Sequence, residues 1–141
     1  MIKYKGVEIK EIPRLLWFIF NPQKRNGMVY KSHLYVSPKI FRDLKTKKPD
    51  LFHYGILEHE ITHLKRKERF GKWYNLKFWL FREFRLQEEL AADKAMMLYL
   101  KKRELNFPIE KRAKKLSSAL YLWMISREDA RHQLNKMWKS V

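Results

Sequence analysis

The stretch His59-Glu60-Ile61-Thr62-His63, set within Gly55-Ile56-Leu57-Glu58 and Leu64, decides how this chain folds. Two histidines four residues apart fall one turn from each other on the same face of an α-helix. There two ring nitrogens can grip one metal ion. Glu60 lies about 100° round the helix from His59. That is too far for a comfortable third ligand but close enough to reach a water on the ion, which suits a general base. Ile56, Leu57, Ile61 and Leu64 predict that much of the helix is buried, and buried imidazoles need partners. Gly55, one turn before His59, allows close backbone approach by a neighbour.

Catalytic zinc takes three protein ligands and leaves a fourth position for water. With no cysteine in the chain, the donors left are histidine and carboxylate. They are found downstream in Arg85-Leu86-Gln87-Glu88-Glu89-Leu90-Ala91-Ala92-Asp93-Lys94-Ala95-Met96-Met97, a strongly helical segment. Glu89 and Asp93 are four apart, so both carboxylates face the same way. One can ligate the metal while the other accepts the free N–H of a ligand histidine and fixes its tautomer. Glu88 is the rival ligand, but Ala92 stands four residues on and cannot play the supporting part. Glu83 has Gln87 at that spacing. Glu89 is therefore expected as the third ligand with Asp93 behind it, and small Ala91 and Ala92 suit tight helix packing.

His-Glu-x-x-His followed by Glu-x-x-x-Asp on a second helix resembles the gluzincin clan of zinc metallopeptidases. The short chain is most similar to its minimal soluble members, the minigluzincins. The resemblance spans residues 34–100. It implies zinc held by His59, His63 and Glu89, Glu60 as general base, and Asp93 as partner of a ligand histidine. It also implies a zincin-like α+β domain with an N-terminal, mostly antiparallel sheet, an active-site helix, a glutamate helix and further C-terminal helices. A metzincin is excluded, because Arg66 and Arg69 stand where that branch needs glycine and histidine. Lys65, just after the motif, departs from the uncharged residue usual in such helices.

At 141 residues there is room for one domain. The expected boundaries are a sheet over residues 1–36, catalytic helices over 50–104 and C-terminal helices over 108–138. Hydrophobic residues make up 45% of the chain, enough for a packed core rather than disorder. The longest apolar run, residues 15–20, is too short to span a bilayer and no cleavage signal follows it. A cytoplasmic, unexported protein is expected. The net charge of +17, clustered at residues 45–48, 65–67, 101–103 and 111–115, points to a polyanion such as nucleic acid as a possible partner.

Along the chain, Lys5-Gly6 reads as a hairpin turn between residues 2–4 and 7–9. Residues 15–20 read as a buried strand or a short helix after Pro13, and residues 21–27 as a turn-rich loop. Residues 28–36 read as one strand, with residues 31–35 bordering the cleft and accepting substrate as an added strand. Ser37-Pro38 opens a short helix, and Asp50 caps the motif helix over residues 51–68. The aromatic and basic stretch of residues 70–84 is expected in the core with its basic residues reaching out. Its alternative is a membrane-surface or single-stranded nucleic-acid contact. Helices are expected over residues 110–124 and 127–138, the latter with Ser126 in a capping box.

The expected activity is zinc-dependent peptide-bond hydrolysis on a peptide or protein substrate. The C-terminal segment, residues 127–141, could occupy the cleft and hold the enzyme latent. Tyr121, His33, His53 and Tyr54 are the candidate donors to a tetrahedral oxyanion. The alternative is a basic nucleic-acid-associated protein with a structural or vestigial zinc site.

Overall fold

The computed structural model describes residues 1–18 and 26–141. Four short strands open the chain: β1 (Ile2–Tyr4), β2 (Val7–Glu11), β3 (Gly27–Tyr30) and β4 (His33–Val36). They form one sheet in the order β1-β2-β4-β3. The outer pairs are antiparallel and β2 with β4 is parallel. The fold is α+β, as expected. Lys5 and Gly6 take φ 48° and 81°, the left-handed pair that a two-residue hairpin needs.

The single strand expected over residues 28–36 is two strands. Lys31 turns the chain at φ 53°, and β3 doubles back on β4 with Tyr30 opposite His33. The turn Lys31-Ser32 has neither glycine nor asparagine, the usual residues for such a conformation. Its consequence is that the edge strand is β3, not residues 31–35. Residues 14–16 form a 3-10 turn after Pro13, with Leu15 and Phe18 exposed rather than buried. The remainder of the expected 15–20 element, and all but the end of the loop over residues 21–27, lie outside the described residues.

The helices are α1 (Pro38–Asp43), α2 (Leu51–Phe70), α3 (Tyr74–Leu80), α4 (Arg82–Lys101), α5 (Ile109–Leu116) and α6 (Arg127–Ser140). Asp50 starts α2, its carboxylate accepting the Phe52 N–H at 2.8 Å. Gly71 stops it at φ 72°. Helix α2 carries the motif and is the hub: one side rests on β3 and β4, another on α4. Ile56, Leu57, Ile61 and Leu64 are buried there with Met96, Met97 and Leu100. Helix α5 is shorter than expected, ending at Leu116, and a 3-10 turn over Ala119–Tyr121 follows. Ser126 caps α6 by accepting the Asp129 N–H at 3.1 Å, and its hydroxyl donates to the Asp129 carboxylate at 2.7 Å.

The stretch between α2 and α4 divides in two. Tyr74 is buried, and Phe78 and Phe84 are partly buried around it. Phe70, Trp73, Leu76, Trp79, Leu80 and Phe81 face solvent. The expectation of core packing holds for three rings only, because α3 is covered on just the side that meets α2 and α4.

The α2–α4 crossing is close at Gly55, where an added Cβ would stand 3.1 Å from Leu100 and 3.4 Å from Met96. Gly55→Leu should therefore destabilise the protein by about 1–3 kcal/mol through overpacking. Gly55→Ala should remain within about 1 kcal/mol of the parent, since a gain in helix propensity offsets a small shift of the Leu100 tip. Urea unfolding of both variants checks this.

Candidate metal centre

Helices α2 and α4 bring the expected ligands together. His59 and His63 project from one face of α2, and Glu89 meets them from α4. The two Nε2 atoms are 3.2 Å apart. Glu89 turns one oxygen toward each, 3.5 Å from His59 and 3.4 Å from His63. In a tetrahedral site with bonds of about 2.0–2.1 Å, ligand atoms stand about 3.3–3.4 Å apart. Two neutral imidazoles facing each other at 3.2 Å would set lone pair against lone pair, which a shared ion or a proton relieves. The three donors fit a metal ion, and one could be held here.

Each ligand is oriented from behind. His59 Nδ1 lies 3.0 Å from Asp93 Oδ1, but at a poor angle, leaving that oxygen a buried acceptor with no well-aligned donor. His63 Nδ1 is 3.2 Å from the Tyr74 hydroxyl. Burial, followed by the Glu88 carboxylate, raises the Tyr74 phenol well above its ordinary range. A phenol that keeps its proton can still accept through its oxygen, and the His63 tautomer that donates Nδ1–H to it leaves Nε2 free for a metal. Glu88, the rival ligand, is fully committed elsewhere: Arg66 holds it through two bonds of 2.7 Å.

Arg112, on α5, was not anticipated. Its guanidinium donates to Asp93 at 2.7 Å and to Glu89 at 2.6 Å, and it stands 3.4 Å from the Tyr121 hydroxyl. In the sequence it belongs to a basic run that reads as solvated. The available signal is spacing: Ile109, Arg112, Ala113 and Leu116 follow one apolar face, so this arginine occupies a core-facing position.

Burial pushes His59 toward losing its proton, yet Asp93 and Glu89 more than reverse this and raise its pKa to about 9. Burial alone would likewise raise Glu89, but His63, His59 and Arg112 hold it well below the usual carboxylate range. The Glu89 carboxylate thus stays ionised and ready to ligate.

Glu60 sits beside the ligands at the mouth of a cleft that it lines together with Gly27, His59 and Tyr121. An added Cβ on Gly27 would lie only 2.9 Å from the Glu60 side chain, so this edge-strand glycine makes the seat for that carboxylate. Of the four candidate oxyanion donors, only Tyr121 reaches the cleft. His33 pairs with Glu8 at 3.1 Å, His53 with Asp43 at 2.7 Å, and Tyr54 packs on Tyr4. Helix α6 does not occupy the cleft, contrary to the idea of a plugging C-terminus. It buries Ala130 and Leu134, and Trp138 lies on Phe107.

The chain matches no known protein family, curated protein or solved structure.

In the metal-free protein His59 holds a proton below about pH 9, and metal must displace it. Affinity should strengthen as pH rises, weakening about tenfold for each unit below that point. Competition against a chromophoric chelator between about pH 6 and 8 reads this directly, and a flat profile would contradict it.

Proposed function

We propose that the protein is a zinc-dependent metallopeptidase, with zinc held by His59, His63 and Glu89. The observation that carries this is the carboxylate of Glu60 beside a three-ligand site on an open cleft. Two imidazoles and one carboxylate suit zinc, and three ligands rather than four are the pattern of a catalytic ion. Bound zinc would supply Lewis acidity, polarising the scissile carbonyl and acidifying a water.

The residues of the chain do the rest. Glu60 takes the proton from the attacking water and returns it to the leaving amine. Burial, then the nearby Glu89 carboxylate, raises the Tyr121 phenol above its ordinary range, so it remains a donor. Arg112 is placed to donate to the Tyr121 oxygen, which leaves the phenolic proton to point into the cleft and meet the oxyanion. Met28 and Val29 of edge strand β3 line the cleft, and an extended peptide adding to that edge would lie along the ligands. The lack of cysteine suits a reducing compartment such as the cytoplasm.

The alternative, a basic nucleic-acid-associated protein with a structural or vestigial zinc site, accounts for the charge of +17. It gives no reason for Glu60 to sit against a glycine at the cleft mouth. A structural ion is also normally closed by a fourth protein ligand.

Glu60→Gln should lower hydrolysis of a denatured protein substrate by about 10²–10⁴-fold with zinc content unchanged. Retained hydrolysis in that variant would end the proposed role. Gly27→Ala should lower kcat by about tenfold or more through displacement of Glu60, again with zinc retained. Full activity in Gly27→Ala would mean that the carboxylate does not need its seat.

A further inference from the structure

We propose that α3 and its flanks form a docking surface for an anionic lipid bilayer. Phe70, Trp73, Leu76, Trp79, Leu80 and Phe81 are all exposed, at 41%, 57%, 48%, 51%, 66% and 58%. Lys65, Arg69, Lys72, Lys77 and Arg82 are exposed among or beside them. The acidic side chains in and beside this stretch are Glu68 and Glu83, the latter paired with Arg82 at 2.9 Å, which leaves the balance strongly basic. Large apolar groups projecting within a collar of cations are the chemistry of an interfacial anchor. Rings and leucines enter the headgroup boundary while lysine and arginine stay with the phosphates.

The presentation is rigid rather than accidental. Arg85, buried beneath α3, donates to the backbone carbonyls of Phe78 and Trp79 at 2.8 Å and 3.1 Å, clamping the end of the helix. Tyr74 anchors its other side in the core. The outer residues are therefore held outward toward solvent.

Single-stranded nucleic acid is the other polyanion this chemistry brings to mind. Stacking on bases uses aromatic rings and gives no role to Leu76 and Leu80, the exposed aliphatic residues among them. Among the described residues no helix is long and apolar enough to cross a membrane, so the contact is with the surface. Trp79 also lines the cleft with His63 and Glu89. If the peptidase reading holds, docking brings that cleft to the lipid surface and favours substrates held there. The docking itself does not depend on catalysis.

The test is co-sedimentation of the full chain with phosphatidylcholine vesicles, with and without about 30% phosphatidylglycerol. Binding to the anionic vesicles is expected, with quenching of tryptophan fluorescence by brominated lipid. The double variant Leu80→Glu, Phe81→Glu should lose about tenfold or more in partitioning with its circular dichroism and metal content unchanged. Should that variant misfold, Lys72→Glu with Lys77→Glu gives a second measure and should weaken binding in a salt-dependent way. Unchanged binding in a folded variant would overturn the proposal, since general basicity would then suffice. Binding to a single-stranded oligonucleotide without binding to vesicles, or binding to neither, would also overturn it.

Discussion

Glu60, Glu88, Glu89 and Asp93 are all buried side chains of α2 and α4, and giving those carboxylates partners there is the constraint on which the rest of the fold depends. A carboxylate taken from water without a partner costs several kcal/mol at least. Arg66 answers Glu88 with both arms, and Arg112 reaches Glu89 and Asp93 together. Without metal, a protonated His59 and Arg112 balance Glu89 and Asp93. A divalent ion replacing that proton leaves one positive charge over, and Glu60 at the cleft mouth supplies the matching negative one. Glu60 is present in both states, so the cluster carries one net negative charge without metal and none with it, and a dication removes a charge from the interior.

The two ligand histidines are held differently, and this explains where α3 lies. His59 has a carboxylate behind it. His63 has the Tyr74 phenol. A phenol is a weaker acceptor than a carboxylate, so the two rings are supported unequally from behind. To deliver Tyr74, the chain must fold back directly after Gly71. That sharp return packs one side of α3 onto α2 and α4 and leaves its other side bare.

Much of the centre was legible in the sequence because helical spacing is a local property. His59 with His63, and Glu89 with Asp93, are each four residues apart, and the apolar residues round them mark the buried faces. What could not be read depended on contacts between elements or on backbone conformations atypical of their residues. Lys31 at positive φ splits one apparent strand into a hairpin and moves the cleft border to Gly27–Tyr30. Arg112 looked like one more cation in a basic run until α5 was set against α4. In residues 70–84 aromatic and basic side chains interleave, and which rings are left outside depends on how α3 meets α2 and α4.

The C-terminal half then has a part that composition alone would not assign to it. Helix α6 locks α5 through Ala130 and Leu134, and α5 holds Arg112 against the two carboxylates. The turn that follows α5 puts Leu122 and Trp123 at φ 55° and 47°, two bulky residues in succession in the left-handed region. Such conformations cost on the order of 1–2 kcal/mol per residue. They persist only where surrounding contacts over-determine them, and here Ser118 accepts the backbone N–H of both Tyr121 and Trp123. The strain lies immediately beyond Tyr121, whose ring enters the cleft. Stability gained from packing α5 and α6 is therefore balanced in part by a strained turn that aims a phenol. This is why the last third of the chain belongs to the site although it contributes none of the three candidate ligands.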